Sequence, residues 1–235
     1  MFYRIKLHFM KLLKISYLLF FCLALEAVIV DTGHANVSLV KFESLEGNRS
    51  KTLLGIKMDM QENWHTYWKN PGDSGGPIKV KWSHDNNISI SKIYWPTPTL
   101  IPYEPLMTYG YKNFVIFPFE ITNSNNKNSY IEANIDFLIC DDICVPEKAL
   151  IKTNLDEINI DPSLNDWFLK VPDQILPVKA SVDSEYINIR FSSPFDVSSA
   201  IFFVDEQDIV EHAENQKLSK EENNYLSLIQ SPSPR

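Results

Sequence analysis

The stretch Ile131-Glu-Ala-Asn-Ile-Asp-Phe-Leu-Ile-Cys-Asp-Asp-Ile-Cys-Val-Pro-Glu147 decides how this chain is read. Ile131, Ala133, Ile135, Phe137 and Ile139 recur at every second position, with Glu132, Asn134 and Asp136 between them. Side chains along a strand point alternately to opposite faces, so this period of two predicts a long strand with one apolar face. Cys140 falls on the other face, with Glu132, Asn134, Asp136 and Leu138. The expectation is a sulfur that leaves the strand on its polar side, where a partner reaches it.

The same pattern extends in both directions. Leu54, Ile56, Met58 and Met60 line one strand face, and Ile78-Lys-Val-Lys-Trp82 alternates cleanly. Val115–Ile121 is an apolar run in which Pro118 predicts an edge or a bulge. Ala149–Leu155 reads as a further strand. Turn signals separate these runs at Asn70-Pro-Gly72, Asp85-Asn-Asn87 and Asn123–Asn128. Several short strands with frequent turns predict an all-β fold, a β-sandwich over about residues 36–160.

Residues 161–177 read as a linker with a short helix over Asp161–Lys170, capped by Asp161 or Ser163. A second β segment is expected over 178–235, with strands at Val178–Val182, Tyr186–Phe191, Ala200–Val204 and Tyr225–Ile229. So few strands make a thin core. The tail Ser231-Pro-Ser-Pro-Arg235 supplies no closing strand. This unit is therefore expected to be incomplete or to need another surface to pack on.

The amino terminus reads as a secretory leader. Residues 1–14 carry Arg4, Lys6, Lys11 and Lys14 and no acid, and an apolar run extends from Ile15 to Leu25. Gly33 and Ala35 put small residues where a signal peptidase reads, so cleavage after Ala35 is expected and the mature chain is placed in the periplasm. An uncleaved anchor is the other outcome, although 11 residues are short for a membrane span of about 20. No later apolar stretch is long enough to span. Without residues 1–35 the chain has 18 Lys and Arg against 28 Asp and Glu, a net charge near −10. That balance argues against nucleic acid and anionic lipid as partners.

Cysteine usage narrows the chemistry. Cys22 lies in the leader, and Cys140 and Cys144 remain, four positions apart. In an oxidising compartment such a pair reads as one local disulfide. Four extended steps span about 13 Å, whereas bridged Cα atoms sit roughly 5.5 Å apart, so the chain must turn sharply through Asp141-Asp-Ile143. Closing so small a loop restrains the unfolded chain by only about 2 kcal/mol. Two flanking aspartates disfavour a thiolate, and no helix amino terminus or neighbouring Lys favours one. The residues alone leave three uses open: exchange with another protein's thiols, an inert loop disulfide, and metal ligation. No second cysteine pair or His-rich tract completes a metal site, no Cys-x-x-Cys-His suggests haem, and no cofactor is expected.

Four segments, in order, carry a resemblance. They are Trp64-His-Thr-Tyr-Trp-Lys-Asn-Pro-Gly-Asp-Ser-Gly-Gly-Pro77, Tyr94-Trp-Pro-Thr-Pro98, Leu106-Met-Thr-Tyr-Gly-Tyr111 and Phe137–Glu147. Together they resemble the amino-terminal periplasmic domain of the DsbD/ScsB thiol–disulfide interchange proteins, most of all the ScsB branch. Ala200-Ile-Phe-Phe203 and Ile209-Val-Glu-His-Ala213 resemble the next segment of the ScsB proteins. The resemblance implies an immunoglobulin-like sandwich that takes electrons from a membrane-embedded thiol transducer through a thioredoxin-like domain. It then passes them to periplasmic thioredoxin-fold oxidoreductases. It further implies that Cys144 attacks and Cys140 resolves, and that a cap loop of Thr108, Tyr109, Gly110 and Tyr111 shields them. The best-studied branch has five residues between its cysteines and an aromatic cap residue; this chain has three and Thr108. Tyr109 or Tyr111 is then the candidate shield. The competing class is a non-catalytic periplasmic binding module with a structural disulfide.

Gly72-Asp-Ser-Gly-Gly-Pro77 also matches the nucleophile signature of trypsin-like serine proteases. Such a serine needs a His base and an orienting Asp, and His65 is the only histidine between Asn36 and Ser74. A Pro-Gly turn between strands is the expected reading. Trp64, Tyr67, Trp68, Trp82 and Trp95 are expected in the core, and His65, His84 and His212 as ordinary polar residues.

Overall fold

Alternating sequence becomes strand here wherever one face has a core to meet. The computed structural model describes residues 28–42, 51–124, 128–161, 165–172, 177–221 and 224–232. The first sheet has the order β1 (Ile29–Asp31), β2 (Ala35–Lys41), β3 (Lys51–Met60), β9 (Phe114–Asn123), β6 (Ile88–Ile90), antiparallel throughout. The second has the order β11 (Cys144–Asn154), β10 (Tyr130–Cys140), β4 (His65–Gly72), β8 (Leu106–Lys112), β7 (Thr99–Tyr103), with β5 (Lys79–His84) also paired to β10. These two sheets pack face to face as a β-sandwich.

The core between them is the set of alternating residues. Leu54, Ile56 and Met58 of β3 and Val115, Phe117 and Phe119 of β9 meet Ile131, Ala133, Ile135 and Ile139 of β10 and Ile151 of β11, all buried. Truncating a buried isoleucine here to alanine is expected to cost about 2–5 kcal/mol. Pro118 sits opposite Gly55 of β3, beyond the end of short β6, and its carbonyl accepts from the Tyr94 amide. The missing N–H therefore faces away from the β3 ladder. The outer face of the first sheet is patched by α1 (Asn165–Phe168), through Trp167 on Phe114 and Phe168 on Phe42. Of the helix expected over Asp161–Lys170, the described residues form this single turn.

The third sheet has the order β12 (Val178–Val182), β13 (Tyr186–Phe191), β15 (Asn224–Gln230), β14 (Lys217–Glu221). β12 and β13 begin and end where the alternation predicts. Ala200–Val204 is not a strand. It is apolar because it is an interface. Phe203 packs edge-on against Trp68 and Tyr109, and buried Asn70 donates to the carbonyls of Val204 and Glu206. His212 hydrogen-bonds the Tyr109 hydroxyl at 3.0 Å. The connection between β13 and β14 thus packs on β4 and β8 of the sandwich.

The expected leader falls largely on residues 1–27, which with Cys22 lie outside the described residues. Residues 28–35, expected from the sequence to be part of the same leader, belong here to the sandwich: β1 pairs with β2 through Ile29–Asp31, and Ala35 is buried. No described helix is long and apolar enough to cross a membrane.

Candidate functional site

β10 and β11 form a hairpin whose last register pair is Cys140 opposite Cys144, with Asp141, Asp142 and Ile143 at its tip. The Asp141 amide donates to the Ile143 carbonyl, which closes the turn, and the two Cα atoms stand 4.2 Å apart in a disulfide. The sharp turn that the spacing demands is therefore a hairpin end. Both sulfurs leave from the outer face of the second sheet.

Parity alone puts Cys140 on that face, but the expectation that a partner reaches it there needs correction. Cys140 is 1 % exposed. Its cover comes from β4, where Tyr67 stands on the same outer face and donates its hydroxyl to Cys140 Sγ at 2.7 Å. The same hydroxyl lies 3.4 Å from Cys144 Sγ. Cys144 is exposed, as are Asp141 and Asp142, and Ile143 is 67 % exposed. One cysteine of the bond is covered by protein and the other is exposed to solvent.

The protease-like motif explains how Tyr67 is held. After β4 the chain turns back through Gly72–Pro77 over the outer face, and Gly75 lies on the Tyr67 ring with φ +92°. A Cβ at Gly75 would stand 2.2 Å from ring carbons, so only glycine lets the backbone approach so closely. Ser74 stands near the Tyr67 hydroxyl and lowers a pKa that burial raises more strongly. The serine therefore supports a tyrosine here, in keeping with a turn rather than a protease nucleophile.

His65, expected from the sequence as an ordinary polar residue, is the second group at the bond. It pairs directly with Cys140 across β4 and β10, is buried, and meets Tyr67 edge to face at 5.2 Å. Burial holds its imidazole pKa below the ordinary value, Lys112 pushes the same way, and Asp141 opposes both. Lys112 is its register partner on β8.

The expected cap residues lie on the strand beside Tyr67. Thr108, Tyr109, Gly110 and Tyr111 form β8, a buried strand rather than a loop. Thr108 donates to the Ile101 carbonyl, Tyr111 donates to the Pro96 carbonyl, and Tyr109 pairs with His212. Gly110 lies against β4, where a Cβ would stand 2.2 Å from the Thr66 carbonyl oxygen. Burial and the nearby Asp73 push the Tyr109 pKa up to about 12. β8 thus backs the strand that carries Tyr67, and Tyr67 itself makes the contact with the sulfurs. Trp68 is in the core as expected, with Trp64, Trp82 and Trp95 packed against it. Among the described residues no cluster of His, Cys, Asp or Glu is arranged to hold a metal ion.

The described residues thus form a β-sandwich with a hairpin disulfide, one of whose cysteines is buried and the other exposed. Residues 36–155 match the family model described as "Thiol:disulfide interchange protein DsbD, N-terminal", just over half of the chain, and the chain belongs to that family. Among solved structures it is similar to the N-terminal periplasmic domain of ScsB from Proteus mirabilis. That match has a TM-score of 0.66 at 16 % identity and covers 88 % of this chain and 85 % of that one. At such identity the likeness is one of fold, and it extends beyond the sandwich into the third sheet. No curated protein matches the sequence.

Proposed function

We propose that the protein is a periplasmic electron relay working through the Cys140–Cys144 bond. The observation that carries this reading is the asymmetry of that bond: Cys144 is exposed and Cys140 is buried beneath Tyr67. A donor thiolate approaching from solvent meets Cys144 Sγ. The Cys144–donor bond forms, the Cys140–Cys144 bond breaks, and Cys140 leaves as a thiolate that the Tyr67 hydroxyl stabilises by hydrogen bonding. The donor's second thiol then releases the chain as a dithiol. Giving the electrons on runs the same steps backwards, with Cys144 attacking and Cys140 resolving.

The donor, by family likeness, is a membrane-embedded thiol transducer acting through a thioredoxin-like domain, and the acceptors are periplasmic thioredoxin-fold oxidoreductases. The exposed Ile143 at the hairpin tip gives such partners an apolar contact beside the reactive sulfur. Trapping tests the assignment. With Cys140→Ser, the Cys144 thiolate should attack the disulfide of an oxidised thioredoxin-fold acceptor, displace one acceptor thiol and accumulate as a mixed disulfide at Cys144; with Cys144→Ser, none should form. Equal trapping by both variants contradicts the assigned roles.

Export carries a second expectation, that the leader ends before Ile29 rather than after Ala35. Glu147 of β11 is buried, and it is held by the Thr32 hydroxyl, the His34 amide and His34 Nδ1. A cut after Ala35 removes all three partners and β1, leaving a buried carboxyl without them, at a cost of about 1–3 kcal/mol or more. The intact mass of the secreted protein decides between a start at or before residue 29 and a start at Asn36.

A further inference from the structure

We infer that His65 is the base that takes the proton of Cys140 when Cys140 resolves a mixed disulfide at Cys144; this rests on the exchange reading above. The geometry comes from the β4–β10 pairing. His65 and Cys140 are directly opposed. Opposed residues of an antiparallel pair project from the same face with Cβ atoms about 4.5–5.5 Å apart. Both are buried, so the proton of a reduced Cys140 has little bulk water to go to.

Tyr67 cannot serve as this base, since burial raises its pKa and holds its hydroxyl protonated. The groups facing His65 are Lys112 from β8, Asp141 from the hairpin tip, Tyr67 from its own strand and Cys140 from β10. Burial and Lys112 keep the resting imidazole neutral and able to accept, and Asp141 favours the imidazolium once it forms.

In the resolving step, Cys140–SH passes its proton to the imidazole, and the thiolate attacks Cys144 Sγ in the Cys144–partner disulfide. The Cys140–Cys144 bond forms, the Cys144–partner bond breaks, and the electron pair leaves on the partner sulfur as a thiolate. The imidazolium then returns its proton to that thiolate or to water. Two electrons have passed from the chain to the partner's former disulfide.

The reduced full chain mixed with 5,5′-dithiobis(2-nitrobenzoate) in a stopped-flow instrument separates the steps. A first nitrothiolate is released when Cys144 attacks, at a rate set by reagent concentration. A second is released when Cys140 resolves, at a rate that is not. The nitrothiolate is acidic and leaves without a proton, so the second phase reports on Cys140 deprotonation alone. The expected wild-type rate constant is level from about pH 7 to 8.5, because the imidazole is already neutral there. In His65→Gln it is at least about tenfold slower at pH 7 and climbs about tenfold per pH unit toward the thiol's own pKa. His65→Asn gives a second variant, and the wild-type profile stands without either. A wild-type second phase that itself climbs tenfold per pH unit, or one profile shared by wild type and variants, overturns the role of His65 and leaves the relay standing. A chain that releases no second nitrothiolate overturns the relay and the base together.

Discussion

The two ends of one sulfur–sulfur bond lie in different surroundings. On the strand side, Cys140 is enclosed by Tyr67, by the Gly72–Pro77 segment that holds Tyr67, and by His65. On the turn side, Cys144 stands in solvent beside two aspartates and an exposed isoleucine. A staple gains nothing from such asymmetry, since both ends of a structural cross-link do the same work. An exchange site gains a defined order of attack. The protein places a buried tyrosine, a buried histidine and a positive-φ glycine on one side of a loop whose closure contributes only about 2 kcal/mol. On the proposed relay, control over which sulfur reacts accounts for that concentration of buried groups.

The sharpest way to break this comparison is to remove each sulfur in turn. Cys144→Ser should abolish exchange with an oxidised thioredoxin-fold acceptor, whereas Cys140→Ser should keep the attack of Cys144 on the acceptor's disulfide and stall at the mixed disulfide, as read on non-reducing gels. Next in size is the loss of the cover. Gly75→Ala places a methyl group into the Tyr67 ring and forces a left-handed conformation on alanine. It should cost about 2 kcal/mol or more in urea unfolding and speed reduction by small dithiols, because Tyr67 is displaced from Cys140. Tyr67→Phe removes only the hydroxyl, with an expected loss of about 1 kcal/mol and an unchanged fold.

Acidification gives a further test, and its sign comes from burial. The pKa values of His65 and His212 are both lowered in the fold, chiefly by desolvation. The unfolded chain therefore binds more protons around pH 6. The stability these residues contribute is complete above their ordinary value of about 6.5 and is lost as pH falls through their folded values. Melting points should drop on going from about pH 7 to pH 5, and by less in His212→Gln. The smallest effect is expected on the outer hairpin face. There Lys148 pairs with Asp136 at 2.6 Å in solvent, so Lys148→Ala should move the melting point least, and not at all in high salt.

Much of the sandwich is legible in sequence because its strands obey one local rule. β3 and β10 alternate over long runs, and their alternate residues are the core. β12 and β13 are legible for the same reason. β14 is not, since Lys217-Leu-Ser-Lys-Glu221 has only one apolar side chain to mark a face. β7 and β8 carry Pro102 and Pro105 in and beside them and read as loop; they pair with each other, and β8 is seated in the sheet by β4, far earlier in the sequence. Ala200–Val204 misleads in the opposite sense, because a segment that packs Phe203 against the sandwich is as apolar as a strand.

At the site, the cysteine pair and the exposed turn are readable directly. The cover is not, because it depends on the register of β4 against β10, a contact between residues 75 positions apart. Parity within Trp64–Trp68 is the signal that points to it. Thr66 and Trp68 share one face of the strand, with Trp68 in the core, which leaves His65 and Tyr67 for the face of Cys140.

Counting free thiols in the folded protein tests the central claim most directly. The native chain is treated with a thioredoxin-like dithiol donor while circular dichroism tracks the fold, and the new thiols are mapped by mass. The account predicts two thiols, at Cys140 and Cys144, appearing while the spectrum stays native. Thiols that appear only as the protein unfolds would contradict it and leave the bond a structural one.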